Sequence, residues 1–218
     1  VTDAVDAARD RSAEVFILRI NTPGGLVTSM RDVVTEILLS PVPVVGYVAP
    51  PGSHAASAGL FILYACHVAA MAPGTNTGSA TPVQIGVLPL PSPPKPAEDE
   101  SEANDSPKAD DAKPAEPANP ATPMDLKSTN DAVAYIRSLA QLRGRNADWA
   151  EAAVREAANL SADDAFNAGV VDLIAADLDD LLNRIDGRRV TAGGLERVLA
   201  TTGLAAEKIE PSTMTEWL

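Results

Sequence analysis

Near the start of the chain, two apolar segments are each followed by a turn and then by a helical pattern. Glu14 to Asn21 (EVFILRIN) and Val42 to Ala49 (VPVVGYVA) are rich in β-branched residues and bounded by turn residues, as buried strands are. Val27 to Ser40 has helical spacing and stops before Pro41, and a further helix is predicted to open near Ala56. This alternation requires crossover connections, so the sequence predicts an α/β domain with a parallel sheet.

Small residues follow both predicted strands. The run Thr22-Pro23-Gly24-Gly25 comes directly after the first strand, and Ala55-Ala56-Ser57-Ala58-Gly59 comes shortly after the second. Ligand crevices of open α/β sheets form at the carboxyl ends of the strands. We therefore expect the two runs to meet, with Ser57 near a helix N-terminus whose dipole favours an oxyanion.

These two runs are suited to a serine nucleophile beside an oxyanion hole. A hydroxyl attacks a carbonyl when a base removes its proton and N–H donors hold the oxyanion that forms. We assign the nucleophile to Ser57 and the oxyanion hole to the N–H groups of Gly25 and Ala58, with Gly24 as the substitute. The alternative is a plain strand-to-helix turn and a serine that only permits close helix packing.

Two segments resemble the protease domain of NfeD-type membrane-bound serine proteases. The first runs from Leu18 to Val83 and includes INTPGGLVTSM and HAASAGLFILYA. The second runs from Lys127 to Asp172 and includes KSTNDAVAYIR. The resemblance implies a Clp protease/crotonase-like fold. It also implies a serine–lysine dyad, in which Lys127 matches the catalytic lysine at the start of its helix. The substrates that it implies are apolar peptide segments of membrane proteins, including a stomatin-like partner.

The base that Ser57 needs is open on the residues alone, because the chain also has two histidines. His54 is expected in the same loop as Ser57, and His67 at a helix-to-strand transition. Either could act as a base if it reached the serine oxygen. Lys127 acts as a base only when neutral, which requires burial in a cleft largely free of carboxylates. Without the resemblance, Lys127 could equally be an exposed lysine at a helix start.

A proline-rich, acidic segment separates Ser57 from Lys127. Ten of the eighteen prolines lie between Pro89 and Pro123, with many Asp and Glu and almost no large apolar residues. Such a composition cannot bury enough surface to offset its ordering entropy, so we expect disorder. We divide the chain into 1–85, the N-terminal part of the protease domain; 86–123, the insert; 124–190, the C-terminal part; and 191–218, a tail leading to a membrane region.

The remaining segments are mostly helical. The loop Gly74 to Ala80 follows a further strand and is expected to border the cleft. Beyond the insert, the pattern predicts helices over Thr129 to Leu142, about Ala147 to Ala158, from Ser161 to Gly169 and over Leu178 to Ile185, and a short strand over Val170 to Ile174. Thr191 to Leu218 has no clear assignment.

Charge, cysteine content and hydropathy limit the kinds of ligand and environment that the chain can have. The net charge of −13 argues against nucleic-acid binding, and no cofactor or metal is expected. Cys66, the single cysteine, is expected to be buried and inert. No apolar run approaches the ~20 residues that span a bilayer, so we expect this fragment itself to be soluble.

The resemblance implies an export signal and a first strand before Val1, and membrane helices after Leu218. It therefore implies a membrane-associated, extracytoplasmic domain. We also expect a homodimer or larger homo-oligomer.

The leading functional interpretation is an endopeptidase that forms an acyl-enzyme on Ser57 with Lys127 as the base. A second is a catalytically inactive scaffold or docking module of the same fold, with the acidic insert as its interaction arm. A third is crotonase-like acyl-CoA chemistry, which would need a carboxylate base and a nucleotide-binding surface.

Overall fold

The computed structural model describes residues 2–82 and 122–209. Its main sheet has four parallel strands in the order β1-β2-β4-β7. The central strand β2, Val44–Val48, is buried along its whole length, which explains its continuous apolar sequence. The predicted α/β class with a parallel sheet and crossover helices is therefore confirmed.

The bounds of the elements are α1 Thr2–Asp10, β1 Phe16–Ile20, α2 Val27–Leu39, β2 Val44–Val48, β3 His54–Ala56, α3 Ala58–Ala65, β4 Val68–Met71, β5 Asn76–Gly78, α4 Pro123–Arg143, α5 Ala147–Arg155, β6 Asn159–Ser161, α6 Ala162–Asn167, β7 Leu173–Ile174, α7 Leu178–Ile185, β8 Arg189–Ala192 and β9 Leu195–Val198.

A second, smaller sheet lies next to Ser57. Its order is β3-β5-β6, with β3 parallel to β5 and β5 antiparallel to β6. The predicted loop from Gly74 to Ala80 thus contains strand β5. Only glycine fits at Gly78, which has a φ of 138° and where an added Cβ would overlap the carbonyl oxygen of Ala158. His54, expected in a loop, lies in β3.

Helix α3 forms the centre of the core. Every residue of α3 except Ile62 is buried, and the helix packs against α2 and α4. The C-terminal half of α4 covers this core with Val133, Ile136 and Leu139. From Pro123 to Ala132 no side chain of α4 is buried. The two halves of α4 therefore have different environments.

An ion-pair network ties the C-terminal elements to the sheet. Asp172 accepts hydrogen bonds from the side chains of Arg145 and Arg188 and from the backbone N–H of Ala69, at 2.7 to 2.8 Å. The buried guanidinium of Arg145 also donates to the carbonyl of Tyr64. This network holds the start of α5 and the strand β7 against the core.

Several predicted boundaries differ from the structure. Helix α4 begins at Pro123, six residues before the predicted start, because Thr122 and Asp125 form a capping box there. The hairpin β8–β9, which begins before residue 191, was not predicted. Most of the predicted insert, residues 86–121, lies outside the described residues. Within the described ranges, no helix combines the length and the apolar character needed to cross a membrane.

Candidate active site

Ser57 connects the end of β3 to the start of α3 in an unusual backbone conformation. Its φ is 52° and its ψ is −117°, a region that non-glycine residues rarely adopt. Its N–H donates to the carbonyl of Gly78 at 3.1 Å, and its own carbonyl accepts from the N–H of Leu60 at 3.0 Å. A sharp strand-to-helix turn of this kind presents a serine hydroxyl above the end of a sheet.

The glycine turn lies directly against Ser57, as the sequence predicts. A Cβ added to Gly24 would be 3.1 Å from the Ser57 Cβ and 3.3 Å from its Oγ. Gly24 also has a φ of 146°, so both its backbone and its surroundings require glycine. Hydrogen bonds from Thr22 N–H to His54 and from Ala56 N–H to Thr22 join the turn to β3 and hold it beside the serine.

The three predicted oxyanion donors differ in availability. The N–H of Gly24 donates to the side-chain oxygen of Thr22 at 3.1 Å and is therefore already engaged. The N–H groups of Gly25 and Ala58 donate to no acceptor within residues 2–82 and 122–209. These two residues are adjacent in space, since a Cβ on Gly25 would lie 3.9 Å from that of Ala58. The arrangement favours Gly25 and Ala58 over Gly24.

A cavity of about 210 Å³ opens beside Ser57 between α2, α3 and α4. Its apolar lining includes Val27 and Met30 from α2, Phe61 from α3, and Ala80. This composition suits an apolar side chain of a peptide. The part of the 74–80 segment that borders the cavity is Ala80.

Polar groups line the other wall of the cavity. Arg31 of α2 pairs with Asp131 of α4, with Nη2 and Oδ2 2.6 Å apart. The guanidinium carbon of Arg31 also lies 4.3 Å from the centre of the Tyr135 ring, and that ring stacks on Phe61 at 5.9 Å. Burial raises the pKa of Tyr135, so its phenol is uncharged at neutral pH.

Lys127 lies on the exposed half of α4 and is not among the residues that line the cavity. The burial in a cleft largely free of carboxylates that a neutral Lys127 requires is absent here, because Lys127 is exposed and Asp125 and Asp131 both line the cavity. Lys127 is also the fifth residue of its helix and not the first. Its neighbour Ser128 faces the cavity, and one residue along an α-helix turns the side chain by about 100°.

Arg31, Asp131 and Tyr135 line the cavity but were not predicted from the sequence. A signal was present, because the cavity-lining positions of α4 recur at helical spacing. Those positions are Asp125, Ser128, Asp131, Ala132 and Tyr135. Their pattern shows a shared face of α4 but not what that face meets, since the partner residues lie on α2 and α3.

Neither histidine lines the cavity beside Ser57. His54 lies in β3, and its backbone N–H donates to the side chain of Asn21. His67 is buried at the end of α3, where its Nδ1 accepts from the N–H of Val44. Burial, aided by nearby arginine charges, lowers the pKa of His67 to about 4.

Cys66 is buried as predicted, and burial raises the pKa of its thiol to about 12. A thiol that stays protonated is a poor nucleophile, which agrees with the inert role expected from the sequence. Among the residues that the structure describes, no group of three or more His, Cys, Asp or Glu could hold a metal ion.

Residues 1–86 match the model of the family "NfeD1b, N-terminal domain". The chain is 32% identical over 214 residues to Membrane-bound protease PH1510 of Pyrococcus horikoshii, a match that covers 95% of this chain and 41% of that protein. The chain thus spans well under half the length of this relative.

Two solved structures of 1510-N, a membrane-bound stomatin-specific protease, are also similar. One is a lysine-to-alanine mutant in complex with a substrate peptide, with a TM-score of 0.76 and 30% identity over 97% of this chain and 84% of that one. The other is a serine-to-alanine mutant, with a TM-score of 0.75 and 31% identity over 95% and 87% of the two chains. The chain is about 30% identical to these two structures and covers more than four fifths of each, so it belongs to the family of NfeD-type membrane-bound serine proteases.

Proposed function

We propose that the chain is the protease domain of a membrane-associated serine endopeptidase whose nucleophile is Ser57. The observation that carries this proposal is the backbone of Ser57. Its strained conformation at the start of α3, against the Gly24 turn and at the mouth of a cavity, presents its hydroxyl to a bound peptide.

The proposed reaction forms and then hydrolyses an acyl-enzyme. Neutral Lys127 takes the proton of the Ser57 hydroxyl as the oxygen attacks the scissile carbonyl, and it gives this proton to the departing amine. The N–H groups of Gly25 and Ala58 hold the oxyanion of the tetrahedral intermediate. A water molecule, deprotonated by Lys127, then attacks the ester carbonyl, and the bond to Ser57 breaks as Lys127 returns the proton to the serine oxygen and the second product leaves.

Lys127 needs a bound substrate to complete this site. Its side chain is exposed, whereas a neutral lysine at working pH requires removal of water. A peptide lying in the cavity between α2 and α4 would cover the N-terminal half of α4 and exclude water from it. We infer that Lys127 turns toward Ser57 when the peptide is present.

The apolar cavity lining supports an apolar peptide as the substrate. The relatives described as stomatin-specific suggest a stomatin-like protein as its source. We further propose that the domain is extracytoplasmic and that it forms a homodimer or larger homo-oligomer.

Substitution of the two proposed catalytic residues tests this function. Ser57→Ala and Lys127→Ala should each lower the rate of cleavage of an apolar peptide by about a thousandfold or more, with unchanged thermal unfolding. His54→Ala serves as the matched control and should retain activity, because His54 does not line the cavity. Activity that survives in Lys127→Ala but is lost in His54→Ala would overturn the dyad.

A docking module without catalysis is the second candidate, and the exposure of Lys127 is the observation that favours it. An acylating active-site probe separates the two functions. The endopeptidase should be labelled at Ser57, as located by mass spectrometry, and Ser57→Ala should not be labelled. A folded wild-type protein that takes up no probe in the presence of apolar peptide would support the docking module.

A further inference from the structure

The ion pair between Arg31 and Asp131 lies one helical turn from Lys127. Lys127 and Asp131 are four residues apart on α4, a spacing that places their side chains on neighbouring positions of the helix surface. An Asp at this position can pair with the lysine and favour its charged form. In the structure, however, the Asp131 carboxylate is turned to Arg31, at 2.6 Å.

Arg31 is held in place for this contact. Its guanidinium lies over the ring of Tyr135, which itself stacks on Phe61. The planar, permanently charged guanidinium thus contacts an aromatic ring and the Asp131 carboxylate at the same time. The side chain of Asp131 is 67% exposed, so the pair itself contributes little to stability.

Among the residues that the structure describes, the other charged groups near Lys127 are engaged or remote. On its own helix, Asp125 accepts hydrogen bonds from Thr122 in the capping box. The packed helix α3 has no charged residue. From α5, Arg155 bonds to the side chain of Asn130 and to Glu151. Within residues 2–82 and 122–209, Asp131 is thus the carboxylate best placed to pair with Lys127.

We propose that Arg31 is a positioning residue that withholds the Asp131 carboxylate from Lys127 and so allows Lys127 to lose its proton. This inference rests on the proposed role of Lys127 as the base. Without Arg31, Asp131 is free to pair with Lys127 through the i, i+4 spacing. The charged lysine is then favoured, and a higher pH is needed for the same fraction of neutral amine.

The test is a double-mutant cycle in which the pH dependence of each variant is measured. We would measure cleavage of an apolar peptide from pH 6.5 to 10 and, separately, the pH midpoint for labelling of the Lys127 amine by an acylating reagent. Arg31→Ala should move both midpoints to higher pH by about 0.2 to 0.4 units. In the Asp131→Asn background the same Arg31→Ala change should produce no such shift.

Arg184→Ala is the matched control, since Arg184 forms a comparable exposed pair with Asp180 on α7, away from the cavity. It should leave both midpoints unchanged. A shift that persists at full size in the Asp131→Asn background would overturn the proposal, because the charge of Arg31 alone would then be its cause. A loss of activity at every pH with fixed midpoints would also overturn it and would indicate a packing role.

The two measurements, cleavage of the peptide and labelling of Lys127, separate this inference from the proposed function. If Lys127→Ala remains active while the labelling midpoint still shifts in Arg31→Ala, the dyad is wrong but the effect of Arg31 on Lys127 stands. If Lys127→Ala is inactive and neither midpoint moves in Arg31→Ala, the dyad stands and the role given to Arg31 is wrong.

Discussion

The helix that follows Ser57 and the helix half that carries Lys127 are held by different kinds of contact. Helix α3 is buried on nearly all sides, and the backbone of Ser57 is bonded to Gly78 and Leu60. The N-terminal half of α4 has no buried side chain and is held by side-chain contacts near the surface. These contacts are the Thr122–Asp125 cap, the Arg31–Asp131 pair and the Arg155–Asn130 hydrogen bond.

This difference shows how preorganisation is distributed in the candidate site. Many buried contacts sustain the strained backbone of Ser57, which few surface contacts could do. The contacts of α4 are individually weak, because exposed ion pairs and hydrogen bonds gain little over water. The proposed nucleophile is therefore set before substrate binds, whereas the proposed base is adjustable.

The largest expected effect is a loss of global stability, and it is tested by truncating one leucine in α3 and one in the N-terminal half of α4. Leu60→Ala in α3 removes a fully buried side chain and should lower the free energy of unfolding by about 2 to 5 kcal/mol. Leu126→Ala in α4 changes a side chain that is 55% exposed and should alter it by less than about 0.5 kcal/mol. Urea unfolding measures both. Equal losses would show that the N-terminal half of α4 is part of the core.

The next effect concerns acid stability near α3. His67 stays neutral in the folded protein down to about pH 4, while the unfolded chain takes up this proton near pH 6.5. The unfolded state binds more protons between these values, so the free energy of unfolding should fall as the pH drops through this range. The contribution is about 2 kcal/mol between pH 7.5 and pH 5.

His67→Asn is the matched variant for this measurement, because its side-chain oxygen can still accept from the N–H of Val44 without titrating. Urea unfolding at the two pH values should show a smaller loss in the variant than in the wild type. The same loss in both proteins would rule out His67 as the source of acid sensitivity.

The smallest effect is expected at the helix caps. Thr122→Ala removes the cap of α4 and should cost about 1 kcal/mol. This loss should appear as faster amide hydrogen exchange over the first turns of α4, and the free energy of global unfolding should change little. Asn146→Ala is the comparison, since Asn146 caps α5 and also donates to Ala168 in the packed part. It should lower global stability, and a global loss of equal size in Thr122→Ala would contradict the local character of the α4 start.

The long apolar elements could be predicted because their patterns are strong. The strands around Phe16–Ile20 and Val44–Val48 and the helix Val27–Leu39 agree with the sequence to within a few residues. The three-residue strands β3 and β5 are too short to show a period, and their pairing depends on residues about twenty positions apart. The hairpin β8–β9 has four exposed residues in its second strand, so no apolar alternation marked it.

The sequence by itself determined the α/β class and the placement of Ser57 and the Gly24 turn at the carboxyl ends of strands, because strand and helix periods and glycine turns are local properties. The tertiary structure decided that the N–H of Gly24 is engaged by Thr22 and that Lys127 lies off the cavity-lining face of α4. It also decided that Arg31 from a distant helix meets Asp131. These outcomes depend on how a helix is rotated against its neighbours, which is set by packing between segments far apart in the chain.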